Sequence, residues 1–207
     1  MFWLVKKELT ANIKYVLLGF AIFVAYAFIF SVNGAGLFML CVTISVYALF
    51  STNLVLDERY KIDLLMTTLP IRRRDMVMSK YLLLLLLFAA CILLYLLLWA
   101  LTRAAGFDRI PALTFSAAAM GLFAASVYIG VTLPLAYRFG AQSTRYVALL
   151  LFFVVFALSG LVPEGALSVS EAGFTDGQVG GVFLAGALIA NAASFFTANA
   201  IYARKDL

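Results

Sequence analysis

Side chains able to form ion pairs or dock a partner are crowded into one stretch of this sequence. Asp57–Lys80 (DERYKIDLLMTTLPIRRRDMVMSK) carries ten of the chain's 25 charged residues. It opens on the adjacent acids Asp57 and Glu58 and closes on Arg72, Arg73, Arg74, Asp75 and Lys80. Histidine is absent, and the cysteines are Cys41 and Cys91 alone. That inventory supplies no imidazole for general-base work or metal ligation and no disulfide framework. No GxxxxGK[ST] run exists to cradle nucleotide phosphates. No catalytic residue and no metal ligand are therefore assigned, and docking is the chemistry left. Ile62, Leu65, Met66 and Leu69 recur at i, i+3, i+4 and i+7, which predicts an amphipathic helix over Asp57–Leu69. Asp57 stands four residues before Lys61, the favourable order for a helical ion pair. Pro70 ends the helix, and Asp75 is expected to cap the turn that leads through Lys80 into the next apolar run. The polar face mixes Asp57, Glu58, Arg59, Lys61 and Asp63. A helix lying only on anionic lipid has little use for three carboxylates, so protein docking is weighed above lipid contact.

The elements that must hold this stretch follow from the rest of the composition. Of the 207 residues 65% are hydrophobic and 12% charged, and the mean hydropathy is +1.06. Soluble domains run at about half apolar and a quarter charged, so the chain reads as an integral membrane protein. Six stretches approach the ~20 apolar residues that a spanning helix requires: Tyr15–Val32, Leu37–Leu56, Tyr81–Leu101, Leu113–Leu135, Tyr146–Val162 and Val179–Ile201. The fifth is the shortest. Runs such as Leu82–Leu87 lack the alternation of a transmembrane strand. The expected fold is one all-α transmembrane domain over 1–207, with six transmembrane helices, an interfacial helix within 1–14 and a cytoplasmic segment at 57–80. With six spans, thirteen bases fall on the side of the termini and two, Arg103 and Arg109, on the other. Both termini are accordingly expected in the cytoplasm. The N-terminal apolar run is too long for a signal-peptide core. The formal charge of +5 then reflects anionic lipid headgroups rather than nucleic acid.

Within the spans the absences are informative. No Asp, Glu, Lys or Arg is embedded, which leaves no proton relay, no charged ion-coupling site and no intramembrane protease dyad. An intramembrane enzyme is excluded on that ground, and uphill movement would need energy from another polypeptide. Asn33, Asn53, Asn191 and Asn199 read as interhelical hydrogen-bonding groups. Small residues four apart, at Ala117, Gly121 and Ala125 and at Gly186, Ala190, Ser194 and Ala198, predict close helix approach. The third span has 12 leucines and no glycine, which predicts a lipid-facing position. Phe20 and Phe23 in span one, and Phe152 and Phe156 in span five, have two readings: lining for an apolar or amphipathic substrate, or lipid-facing bulk. Cys41 and Cys91 are expected to be buried thiols.

The run Asp57-Glu58 … Thr68-Leu69-Pro70 … Arg73 … Val77 … Lys80-Tyr81 resembles the hallmark of small ABC type-2 exporter permeases. That pattern has an acidic pair at the end of span two, then an "(S/T)LP-x-x-R-x-x-x-V-x-x-K-Y" stretch into span three. The terminal Tyr202-Ala203-Arg204-Lys205-Asp206 resembles the family's "Y-x-x-R-D" ending with one lysine inserted. Among such permeases, the chain's size is similar to those that export amphipathic peptides such as phenol-soluble modulins. The resemblance implies a dimer with a second copy or a related permease, served by separate cytoplasmic ATPase subunits that hold ATP and Mg2+. No cofactor is expected on this chain itself. It implies that the helix between spans two and three is the coupling helix. Asp57, Glu58, Arg59, Lys61, Leu69, Pro70 and Arg73 are carried over to the ATPase contact, and Ile62, Leu65 and Met66 complete the helix's apolar face. The alternative function is a non-enzymatic membrane scaffold or immunity protein that recruits a cytoplasmic partner through the same loop.

Overall fold

In a computed structural model of the chain, residues 13–29, 34–60, 73–106, 110–161 and 175–203 are described. Among them regular structure is entirely helical: α1 (Ile13–Ile29), α2 (Gly34–Arg59), α3 (Arg73–Ala104), α4 (Phe115–Phe139), α5 (Ala141–Leu161) and α6 (Asp176–Ala203). Each overlaps one expected span. Four helices, α2, α3, α4 and α6, are long and apolar enough to cross a membrane, and α5 contributes a shorter apolar stretch, Gln142–Val155. The expected interfacial helix at 1–14 lies outside the described residues, except that Ile13 and Lys14 already belong to α1.

α3 is 32 residues long, about 48 Å at 1.5 Å per residue, so it exceeds a hydrocarbon core of about 30 Å. Its excess lies at its first turns, where Arg73, Arg74, Asp75 and Lys80 are carried. Because the helix begins at Arg73, Asp75 sits inside the first turn and is not the expected cap. A carboxylate there still faces the positive end of the helix dipole. One face of α3 buries Leu83, Leu84, Leu87, Cys91, Tyr95 and Leu98, while Leu85, Leu86, Leu93, Leu97 and Leu101 are exposed. The leucine-rich helix is thus apolar all round and half embedded in protein. Cys41 and Cys91 are both buried free thiols.

α2 and α4 form the centre of the bundle. α2 packs against α1, α3, α4 and α5, and α4 packs against α2, α5 and, most extensively, α6. Lipid tails are as apolar as leucine, so helices associate in a membrane through close packing and hydrogen bonds. The α4–α6 interface shows both. Pro134 lies inside α4 and has no N–H to give the carbonyl four residues earlier, Gly130. Ser194 of α6 donates to that Gly130 carbonyl at 2.9 Å. Its single proton is spent there, so Tyr81 of α3 is the donor in the 2.5 Å Tyr81–Ser194 hydroxyl contact. A second rung joins Asn191 Nδ2 to Ser126 Oγ at 2.8 Å. Both helices start on side-chain caps: the Thr114 hydroxyl accepts from Ala117 N, and Gln178 Oε1 accepts from Thr175 N at 2.9 Å. The latter is half of a capping box.

Candidate functional site at the charged ends of the helices

The acidic pair is the last turn of α2, not the start of a separate helix. α2 runs unbroken through Arg59, and Tyr60 N still donates to Leu56 O at 2.9 Å. Of the helix expected over Asp57–Leu69, residues 57–59 are the end of α2, and 61–69 lie outside the described residues. The apolar run of α2 simply continues its hydrogen bonding into the charged residues, with no breaker at Leu56 to stop it. Lys61, Ile62, Leu65, Met66, Leu69 and Pro70 lie outside the described residues. Arg73 opens α3, and its side chain is likewise not described.

Successive helical residues point about 100° apart, and Asp57 and Glu58 use that angle to reach different neighbours. Asp57 Oδ2 lies 2.6 Å from the Lys80 ammonium on α3, with the two side chains 26% and 9% exposed. A lysine buried to that degree needs a charged partner. The residue that pairs with Asp57 among the described residues is therefore Lys80, 23 positions away, whereas Lys61, the partner expected from helical spacing, is not described.

Glu58 turns toward the junction of α4 and α5. Its Oε2 accepts from Gln142 N at 3.0 Å, so a carboxylate from α2 caps the N-terminus of α5. This satisfies one orphan donor and opposes the helix dipole. The junction fits closely. Gly140 has φ 84° and ψ 160°, a region open in practice to glycine alone. A Cβ at Gly140 would stand 2.9 Å from Glu58 Oε1. Gly140 N also closes α4 onto Ala136 O at 3.0 Å. Two neighbouring carboxylates thus grip α3 on one side and the α4–α5 turn on the other, so the segment 60–72 leaves from and returns to tied helix ends. Gly140 and Gln142 were not singled out from sequence. A glycine between two apolar runs is a stop signal there, but Glu58 as its neighbour is not readable.

Arg59, the third residue of the group, is exposed and borders a cleft of about 460 Å³ among α1, α2, α4 and α5. Leu18, Tyr47, Tyr128, Ala148 and Arg145 also line it. Of the four phenylalanines considered for a substrate path, Phe23 is wholly buried, and Phe20 is half-buried against the core. Phe152 packs on Tyr47 with ring centroids 4.8 Å apart, and the Phe156 side chain is not described. The aromatic rings facing the cleft are those of Tyr47 and Tyr128.

No curated protein and no solved structure matches the chain. A family model does: that of the "ABC-2 family transporter protein" family, over residues 3–203. With nearly the whole length matched, and long apolar helices to carry it through the bilayer, the chain belongs to the ABC-2 family and is a permease that passes through the cell membrane several times.

Proposed function

We propose that this chain is the permease subunit of an ABC exporter that moves hydrophobic or amphipathic substrates, peptides among them, out of the cell. A separate cytoplasmic ATPase supplies the energy and holds the ATP and Mg2+. In this reading six spans place both termini and the segment 57–80 in the cytoplasm, and two permease copies, identical or related, share the pathway. The segment between α2 and α3 is the coupling helix, with Ile62, Leu65, Met66 and Leu69 against the ATPase and Arg73 at its edge.

The observation that carries this proposal is the double grip of Asp57 on Lys80 and Glu58 on Gln142 N. Because Asp57 ties α2 to α3 and Glu58 ties α2 to the α4–α5 turn, a partner that moves the end of α2 would move all three together. Nucleotide-driven closure of the ATPase pair would so become an alternation of helix arrangement, a rigid-body switch between two packings. Coupling is reciprocal, so substrate in turn alters ATP hydrolysis.

Co-purification with candidate ATPases, followed by hydrolysis measurements, tests the proposal. Replacing Arg72, Arg73 and Arg74 with glutamate reverses the basic edge and is expected to abolish the complex while the helical content of the permease is kept. A complex that survives both this reversal and polar replacement of Ile62, Leu65, Met66 and Leu69 would remove the docking role of the loop. A stable complex whose hydrolysis never responds to substrate would favour the scaffold alternative.

A further inference from the structure

We infer that the cleft among α1, α2, α4 and α5 is a binding site for a small single-chain amphiphile with an oxyanion head, carboxylate or phosphate. The inference rests on the permease reading for its meaning as a substrate class, but the binding itself does not. Arg59 and Arg145 lie on the cleft wall, and neither pairs with a carboxylate among the described residues. Guanidinium groups present planar, weakly hydrated forks of N–H donors suited to carboxylate and phosphate oxygens. The nearest acids are already engaged: Asp57 by Lys80 and Glu58 by Gln142 N. The Thr52 and Thr144 hydroxyls on the wall spend their protons on the backbone carbonyls of Ala48 and Gly140, both at 2.7 Å, which leaves the arginines as the donors for an anionic head.

Away from the arginines the wall turns apolar and aromatic, through Leu18, Leu54, Tyr47, Tyr128 and Ala148. Tyr47 and Tyr128 meet edge to face, centroids 5.9 Å apart, and so form a fixed corner for a hydrocarbon body. Charge at one end and apolar surface at the other dictate the pose, head at the arginines and chain along the tyrosines. The volume of about 460 Å³ falls in the range of about 300–1,000 Å³ found for small-molecule sites. A peptide helix, about 10–12 Å across with its side chains, is a poor fit to it. A cationic amphiphile is rejected by the same two charges.

The test uses the full chain in a neutral maltoside detergent with parinaric acid, a fluorescent single-chain carboxylate, as the probe. Saturable binding is expected, displaced by dodecyl phosphate but not by dodecyltrimethylammonium. Arg59→Gln and Arg145→Gln are each expected to weaken it about tenfold, the loss of one charge-assisted contact. Circular dichroism and Tm show that the two exposed arginine variants remain folded. Wild-type affinity in both Gln variants, or displacement by the cation as effective as by dodecyl phosphate, overturns the inference. Native mass spectrometry identifies the source: lysophosphatidylglycerol, a single-chain phosphate amphiphile, retained by the wild type and lost by the double Gln variant marks a resident lipid, and probe binding without retained lipid marks a free amphiphile. No ATPase is present in the assay. Failure here therefore leaves partner-coupled hydrolysis standing, and failure of that coupling leaves this binding standing.

Discussion

With its side chain 9% exposed, the Lys80 ammonium depends on Asp57 at 2.6 Å for much of its compensation. Asp57→Ala withdraws that carboxylate and is expected to cost about 1–3 kcal/mol, below the 3–5 kcal/mol of a wholly buried pair because Asp57 is partly solvated. Thermal unfolding in detergent measures it. A cycle with Lys80→Met should show the two changes to be less than additive, since the methionine removes the charge that Asp57 compensates. Gly140→Ala tests the other carboxylate. It forces a side chain into a glycine-only conformation, at about 1–3 kcal/mol, and pushes Glu58 from its seat on Gln142 N. The same loss of Tm, accompanied by faster amide exchange at the first turn of α5, is the expected outcome. Sequence reading located Asp57, Glu58 and Lys80, because charge clustering beside a proline is visible in one dimension. It did not supply their partners: local spacing offered Lys61 to Asp57, and nothing local links Glu58 to a backbone amide 84 positions on.

At the scale of elements, the join between α4 and α6 is governed by an absence. Pro134 frees the Gly130 carbonyl, and Ser194 answers it. Ser194→Ala leaves that carbonyl without its donor in an apolar surround and breaks the link to Tyr81, an expected loss of about 1 kcal/mol. Pro134→Ala restores a backbone N–H for Gly130, so the double variant Ser194→Ala, Pro134→Ala should recover part of the lost Tm. Equal Tm values for the single and double variants would show that the freed carbonyl is not what Ser194 serves. Helix existence was legible here from apolar run length, and the small-residue spacing at Gly186, Ser194 and Ala198 marked a packing face. Ser194 and Ala198 are buried, and a Cβ on Gly186 would stand 3.0 Å from the Phe123 ring. The partners of such faces were not legible. Gly121 receives Phe38 of α2, with 3.0 Å to a Cβ placed there, because a stripe of small residues states only that something comes close. Helix ends were blurred for a related reason, since charged residues at Arg59 and Arg73 continue helical hydrogen bonding beyond the apolar run.

Across the whole molecule, the paired grips join α2, α3 and the α4–α5 turn into one unit at the charged side of the bundle, and the chain between α2 and α3 is the segment 60–72. The family match over 3–203 makes the chain a permease, and the proposed energy route enters through that segment. The direct measurement is substrate-stimulated ATP hydrolysis by the reconstituted permease–ATPase complex, wild type against Asp57→Ala, Glu58→Ala. Asp57 and Glu58 are spent inside the permease, on Lys80 and Gln142 N, and not on the ATPase contact first expected of them; the loop keeps Ile62–Leu69 and Arg72–Arg74 in this variant, so the ATPase should still bind. The account predicts a complex of unchanged composition whose basal hydrolysis persists but whose stimulation by substrate is lost. Full stimulation in a folded double variant would contradict it.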